Sequence, residues 1–583
     1  MSHRLATTLL GLLLLLTGIL LARAHHAMPL PPHSAHDGFL LVPQMVDLLE
    51  GQTPVDGRFG MFHPTWFSDR VDPTHATSWA GFSERLIGNV QSHTWIDLPH
   101  PMAWMALLTH TTGLGTWAPF LVQWAYLCLL IGCLYAIGRR AHGPACGLLA
   151  GVIALGSPGV TGMVQYIAPH LALVAMTAAV VCLLIHLEGL RRWGIALLAS
   201  AALWSLSRTG EGSGDAVIAG LVVIGPVLAV LVKREAGMPA RRWLLGVLAM
   251  LLPLLLLADL TWMMAAMERV TRAFADPLVQ TDVVAKGGLL SHPMAWLGAY
   301  GVLLVTDYAL PALSIGLLVG FVGLRGARFK HRWLLLAWTL VPWVALSWMQ
   351  RKASWYGLPL LPPLFVLAAI GLSHFHIKVR WMVAGVALCQ WWTISTSGGD
   401  EVRSWLTRPL PLHDWRLRRI DMFQPMNTPA SRAVRADLDG LADWLAQRGD
   451  PGPVALITMG TQQDYAARYY LAMRQTGLQV VNITDPRLRS GGYRGLHPGD
   501  FSALIFIDDG AQPWPPNSQQ KTWLRQNLGC ATDDPFDDFL SAIWKRAGDR
   551  EDGFYPLSGS APGQMGPGQI WTGPKAIGGI CAP

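Results

Sequence analysis

The chain has 583 residues, of which 52% are hydrophobic and only 14% charged, with a formal net charge of +7. Soluble domains carry about 25% charged residues, so this composition excludes an ordinary soluble enzyme. The small positive excess needs no nucleic-acid partner, because its placement between apolar runs accounts for it.

Leucine-rich runs of nearly membrane-spanning length recur along the first 400 positions, which predicts a polytopic α-helical membrane protein. The runs are 5–22, 117–137, 145–163, 169–187, 194–206, 216–232, 243–265, 300–324, 333–348, 358–375 and 381–397. The expectation is about eleven transmembrane helices over 1–397 and a small α/β domain over 398–583. Loops holding Arg139-Arg140, Arg191-Arg192, Lys233-Arg234 with Arg241-Arg242, Arg325 to Arg332, and Lys378 with Arg380 alternate with sparser ones. The positive-inside rule puts the basic set, and the amino terminus, in the cytoplasm of a bacterial inner membrane. The first outer loop (23–116) and the tail are then periplasmic. The opening run, ending in Ala-Arg-Ala at Ala24, also reads as a cleavable signal peptide.

The first outer loop is long enough to carry function. It holds nine histidines, among them His25, His36, His100 and His110, but no spacing of a closed zinc site. Asp37 follows the first span and precedes FLLVPQMVDLLEG. It reads either as a helix N-cap or as a general base for an acceptor hydroxyl or amine. In WIDLPHPMAWMALL, Asp97 and His100 stand at the start of a semi-apolar helix. Arg208, Glu211 and Asp215 fall in a Gly-rich break between spans, and Asp259 and Asp307 interrupt apolar runs.

The stretch MQRKASWYGLPLLPPL (349–364) places Arg351 and Lys352 at the outer face, where the rule disfavours cations. One reading is interfacial snorkelling with an aromatic belt. The other is a phosphate site: Arg351 offers two parallel donors, Lys352 a point charge and Tyr356 a hydroxyl. Pro359, Pro362 and Pro363 are then expected to kink the following helix and open a groove for a prenyl chain.

In the tail, VALIT (454–458), VVNIT (480–484) and ALIFI (503–507) read as buried strands between helical stretches at 433–447, 463–475 and 518–527. That alternation predicts a parallel sheet. The turns carry no phosphate fingerprint. The last 30 residues read as loop. Five of the seven cysteines lie in or beside spans as small core residues; Cys530 and Cys581 lie in the tail, paired or free.

The arrangement resembles the GT-C superfamily of membrane glycosyltransferases, above all lipid A aminoarabinose transferases and protein O-mannosyltransferases. The resemblance rests on His36-Asp37-Gly38 early in a long outer loop and on Asp97-Leu98-Pro99-His100-Pro101 before the second span. It also rests on Arg351, Lys352, Tyr356 and Pro359 to Pro363 late in the chain, and on an outer tail. It implies transfer of a sugar from a polyprenyl-phosphate donor to a cell-envelope glycan, lipid or protein. Asp37 would be catalytic. Arg351, Lys352 and Tyr356 would bind the donor phosphate, and His100 and His170 would contact acceptor or sugar. A divalent metal ion is the candidate cofactor, with Asp97 and His292 (in LSHPMAW) as its ligands. The sequence departs from the family at Gly38, where a second acid is common, at Leu98, where the metal-binding motif has Lys, and at His170, where an acid opens the fourth span. A transporter or flippase for a lipid-linked sugar, or a non-catalytic envelope subunit, are the alternatives.

Overall fold

The computed structural model describes residues 2–27, 54–55, 61–62, 100–165, 169–187, 192–207, 209, 212–232, 239–257, 300–301, 303–325, 327–348, 354–396, 454–458, 480–482, 503–507 and 570–571. It divides into two compact units: Met1–Ala24 with Pro99–Pro101 and Phe120–Pro425, and His25–Leu98 with Met102–Pro119 and Met426–Pro583.

A helix stands at each apolar run. In chain order these are α1 (His3–Ala27), α2 (His100–Thr112), α3 (Trp117–His142), α4 (Pro144–Leu155), α5 (Pro158–Thr161), α6 (His170–His186), α7 (Trp193–Ser207), α8 (Gly212–Val232), α9 (Ala240–Leu257), α10 (Leu310–Gly323), α11 (Arg332–Trp348), α12 (Leu361–Leu372) and α13 (Ile377–Thr396). Among the described residues two stretches, His3–His26 and Trp117–His142, are long and apolar enough to cross a membrane unaided. The expected third span is broken: Pro144–Leu155 and Pro158–Val164 meet at a 74° bend. The protein is a helical membrane protein, and its outward residues carry the signature of lipid contact. Leu12 on α1, Leu198 on α7, Ile315 and Leu318 on α10 and Val344 on α11 stay about 60% exposed. In water such a belt of bare aliphatic surface would drive association.

The bundle is assembled on α12, whose residues Leu361 to Leu372 are all buried. A helix apolar on every side belongs in the interior. Pro362 and Pro363 occupy its first turn, where a missing N–H costs nothing, so they start the helix and do not kink it. Leu361 to Leu372 are enclosed, so among the described residues this stretch opens no groove of its own to lipid. Helix α10 lies against α12 through small residues: a Cβ on Gly320 would stand 2.6 Å from the Ala368 carbonyl oxygen, and one on Gly371 would collide with the Gly320 carbonyl. Gly323 meets Gly371 in the same way, while Gly316 admits Val383 of α13; small residues let helix backbones touch in a bilayer, where van der Waals contact replaces the hydrophobic drive. The same device joins α3 to α4, with Gly138 built against Gly147. Their corner is Gly143, whose φ of +113° suits glycine.

Helix α1 is part of this core. Ala6, Thr17 and Leu21 are fully buried, the Trp391 indole N–H donates to Thr17 Oγ1 at 3.0 Å, and Gly18 fits under the Trp124 ring. Cleavage after Ala24 would strip these partners away. Of the five cysteines expected in the core, Cys133 and Cys146 are buried, Cys128 and Cys182 half-buried, and Cys389 is exposed.

In the second unit the three expected strands form: β3 (Val454–Thr458), β4 (Val480–Asn482) and β5 (Ala503–Ile507), with β3 parallel to both neighbours. A two-residue strand, β6 (Ile570–Trp571), adds antiparallel to β5 and gives the order β4-β3-β5-β6, so the last 30 residues are not loop throughout. Two residues are too few for a periodic signal. Pro54–Val55 (β1) and Met61–Phe62 (β2) form an antiparallel ribbon within the long first loop. The helical stretches expected in the tail and the Cys530–Cys581 question lie outside the described residues.

Replacing Gly320 by leucine should overpack the α10–α12 contact. We expect a loss of about 1–3 kcal/mol, read as a lower thermal unfolding midpoint of the detergent-purified protein; an unchanged midpoint would contradict the direct backbone contact.

Candidate active site

Three interruptions of regular helix meet in the membrane unit. The first is the Gly156-Ser157 break between α4 and α5. The second is a π-helical turn, Leu304–Tyr308, just ahead of α10, in which the Ala309 N–H reaches back five residues to the Leu304 carbonyl at 2.9 Å. The third is a 3-10 segment, Ser354–Leu360, ahead of α12. Each holds a proline or is followed by one within a few residues: Pro158, Pro311, and Pro359 with Pro362. Proline supplies no N–H, so each junction leaves carbonyls without helical donors. At membrane depth such groups are tolerated only where other protein groups satisfy them.

Two side chains do so. Ser157 Oγ donates to the Tyr308 carbonyl at 2.5 Å. The Gln390 amide on α13 forks, donating to the Gly156 carbonyl at 3.1 Å and the Ala309 carbonyl at 2.8 Å. The break and the π turn are thereby locked to one helix. The 3-10 segment closes on them: Gly357 admits the Tyr308 hydroxyl and the Tyr300 ring, with a Cβ there only 2.5 and 2.6 Å from them. Gly159 receives Leu358 and Leu361 on the other side. Tyr300 and Tyr308 are buried, and Tyr356 beside them is half-buried.

This junction lies toward the end of the bundle opposite the basic loops. Helix α4 runs 12 residues from the Gly143 corner to the break, which is about 18 Å at 1.5 Å per residue. Tyr356 stands on the 3-10 segment of this junction, at the end of the bundle remote from the Gly143 corner.

Helix α6 packs against the 3-10 segment and opens with His170, which is buried. His100 opens α2, half-buried; its ring lies 5.4 Å from that of Trp204, and the Ser205 hydroxyl stands 3.5 Å from its Nδ1. Since α6 and α7 are packed neighbours, His170 at the start of one and Ser205 near the end of the other share this end of the bundle. Asp37, Asp97, His292, Arg351 and Lys352 lie outside the described residues, as do Arg208, Glu211 and Asp259. Of Asp215 and Asp307 only the backbone is described. Among the described residues no group of three or more His, Cys, Asp or Glu side chains gathers to hold a metal. His25, one of the nine loop histidines, is a structural residue: its Nε2 donates to the Thr116 carbonyl at 2.9 Å and its ring meets Trp117 edge-on.

Sequence reasoning did not find Ser157, Gln390, Tyr300 or Tyr308. Their signal was a polar residue inside an apolar run and a proline after it at 158 and 311, with nothing to name the partner.

No family model matches the chain, and no curated protein matches it. Among solved structures, ArnT from Cupriavidus metallidurans in the apo state is similar over 93% of this chain and 97% of that one, at 14% identity and a TM-score of 0.50. The same ArnT bound to undecaprenyl phosphate matches at 15% identity and a TM-score of 0.45, over 93% and 97%. The mycobacterial arabinofuranosyltransferase AftD matches at 16% identity and 0.42, over 98% of this chain and 40% of that one. The chain shares the fold of that apo ArnT structure, the GT-C type.

Replacing Gln390 by leucine would leave the Gly156 and Ala309 carbonyls without a donor. Each buried unsatisfied group costs about 1–3 kcal/mol, so the thermal midpoint should fall clearly. An unaltered midpoint would show that the fork does not secure the junction.

Proposed function

We propose that the protein is a membrane glycosyltransferase that takes a sugar from a polyprenyl-phosphate donor and passes it to a cell-envelope acceptor at the outer face of the bacterial inner membrane. The observation that carries this reading is the convergence of the three broken helices on Tyr356. Irregular backbone maintained at membrane depth, at a cost in hydrogen bonding, marks a place where a ligand is handled. The GT-C fold supports the reaction class, and the quoted loop motifs support the assignment of roles.

In this scheme the prenyl chain lies in the bilayer and the phosphate at headgroup depth. Arg351, Lys352 and the Tyr356 hydroxyl hold the phosphate. Asp37 takes the proton from the acceptor hydroxyl or amine as that atom forms its bond to the anomeric carbon. The bond from that carbon to the phosphate oxygen breaks, and polyprenyl phosphate leaves with its charge held by the two cations and the tyrosine. His100 and His170 contact acceptor or sugar. Asp97 and His292 would hold a divalent metal ion, which would supply positive charge toward the phosphate oxygens.

The broken helices also suit a carrier for a lipid-linked sugar, because discontinuous helices form substrate sites in transporters. Proteoliposomes loaded with donor lipid separate the two: a transferase yields glycosylated acceptor, a carrier yields moved lipid and no product.

The transferase reading predicts that Asp37→Asn abolishes transfer in reconstituted membranes while donor binding and the thermal midpoint persist. Full activity in that variant would remove the base. Tyr356→Phe should weaken binding of polyprenyl phosphate about tenfold or more, the worth of a hydrogen bond to a charged group. Equal affinity would detach the tyrosine from the phosphate.

A further inference from the structure

Tyr308 is held at three points along its length. Its carbonyl accepts the Ser157 hydroxyl at 2.5 Å. Gly159, on α5, faces its α-carbon, and a Cβ on that glycine would stand 3.3 Å from it. Its phenol oxygen abuts Gly357, where a Cβ would stand 2.5 Å from the oxygen. One residue thus runs from the α4–α5 break, through the π turn, to the 3-10 segment. Only 1% of Tyr308 is exposed, so the ring is walled in by protein. A phenol ring has a fixed length. With its backbone end seated on Ser157 and Gly159, its far end decides where Gly357 lies.

Tyr300, also buried, closes on the same α-carbon: its Cδ1 and Cε1 would lie 2.6 and 3.0 Å from a Cβ on Gly357. An α-carbon wedged against two buried rings in a close-packed interior does not slide unless one of them moves. What is fixed in this way is the neighbour in the chain. Tyr356 directly precedes Gly357, and adjacent α-carbons are about 3.8 Å apart, so a displacement of one passes almost whole to the other. Tyr356 is half-buried, where Tyr300 and Tyr308 are enclosed. Stretches of π and 3-10 geometry recur at functional sites, where they re-aim a side chain that a regular helix would misplace.

We propose that Tyr308 is a positioning residue for the donor phosphate: a strut, socketed on Gly159 and Gly357, that carries the position of the α4–α5 break to Tyr356 and sets where the Tyr356 hydroxyl meets the phosphate. This rests on the assignment of Tyr356 to the donor. Binding groups have to be held within about 0.5 Å of their working place, and a misplacement of about 1 Å can cost a hundredfold. A methyl group at Gly357 demands a shift of nearly that size, since ordinary contact begins at 3.4 Å and the Tyr308 oxygen stands at 2.5 Å.

The test measures binding of undecaprenyl phosphate to the full chain in neutral detergent, well below the thermal midpoint of each variant. Gly357→Ala should weaken binding about tenfold or more, as Tyr356→Phe does. Adding Tyr308→Phe to Gly357→Ala removes the oxygen that the methyl strikes and should restore affinity about threefold or more over Gly357→Ala alone. Lost packing by itself lowers the midpoint, and a second loss lowers it further, so a purely structural role gives no such recovery. Tyr308→Phe alone deletes a single oxygen and gives a reading independent of whether Gly357→Ala folds: its affinity should fall about threefold. Wild-type affinity in Tyr308→Phe or in Gly357→Ala, or no recovery in the double variant, would overturn the strut while Tyr356→Phe still marks the phosphate site. A loss in Gly357→Ala with none in Tyr356→Phe would overturn the route through Tyr356. Absence of binding by the wild type would remove the donor reading and this inference with it.

Discussion

One side-chain amide ties the membrane unit together. Gln390 reaches from the last described helix to two carbonyls that helix geometry has abandoned, one at the α4–α5 break and one at the end of the π turn. In hydrocarbon an abandoned carbonyl has no water to turn to, so an irregular segment survives only if some other residue adopts its polar groups. Without the glutamine fork and the Ser157 hydroxyl, the prolines at 158 and 311 would make the bundle unstable. With them, three weak points become a single rigid junction around Tyr356 and Gly357.

The remaining architecture follows from enclosing that junction. Helix α12 must be apolar on all sides because α4, α10 and α11 surround it. Glycines at 320, 323 and 371 bring α10 and α12 close enough for backbone contact, which compensates for the lack of a hydrophobic drive between helices in lipid. The polar side chains that are buried mostly bond to carbonyls of their own or a facing helix, as Thr17, Thr109 and Thr339 do.

Much of this was written in local pattern. Apolar runs gave the helices, since only burial in lipid or protein explains so little charge. The parallel pairing of β3, β4 and β5 was legible because each is a short apolar run, whereas their order in the sheet was not. The Pro-x-x-Pro-Pro signature was read as a kink in the following helix, whereas Pro362 and Pro363 begin it. What pattern could not reveal was partnership. Gln390 and Gly156 are 234 residues apart, and a lone glutamine in an apolar run does not say which carbonyl it serves. The π turn was hidden for the same reason, as its five-residue bond changes no residue type. Of the candidate site, Tyr356, His100 and His170 are the members that fall within the described residues. Their shared neighbourhood comes from the packing of α6 on α7 and on the 3-10 segment, which no single segment encodes.

The contact between Gly138 and Gly147 bears on how the chain is made. Helix α4 alone is some 12 Å short of the bilayer's hydrocarbon thickness, so a translocation channel has little reason to release it sideways by itself. Pressed backbone to backbone on α3 through the turn at Gly143, it becomes the second arm of a hairpin whose first arm is fully membrane-compatible. The pair can then pass into the lipid as one piece during synthesis, and the carbonyls beyond Leu155 must wait for a helix translated more than two hundred residues later.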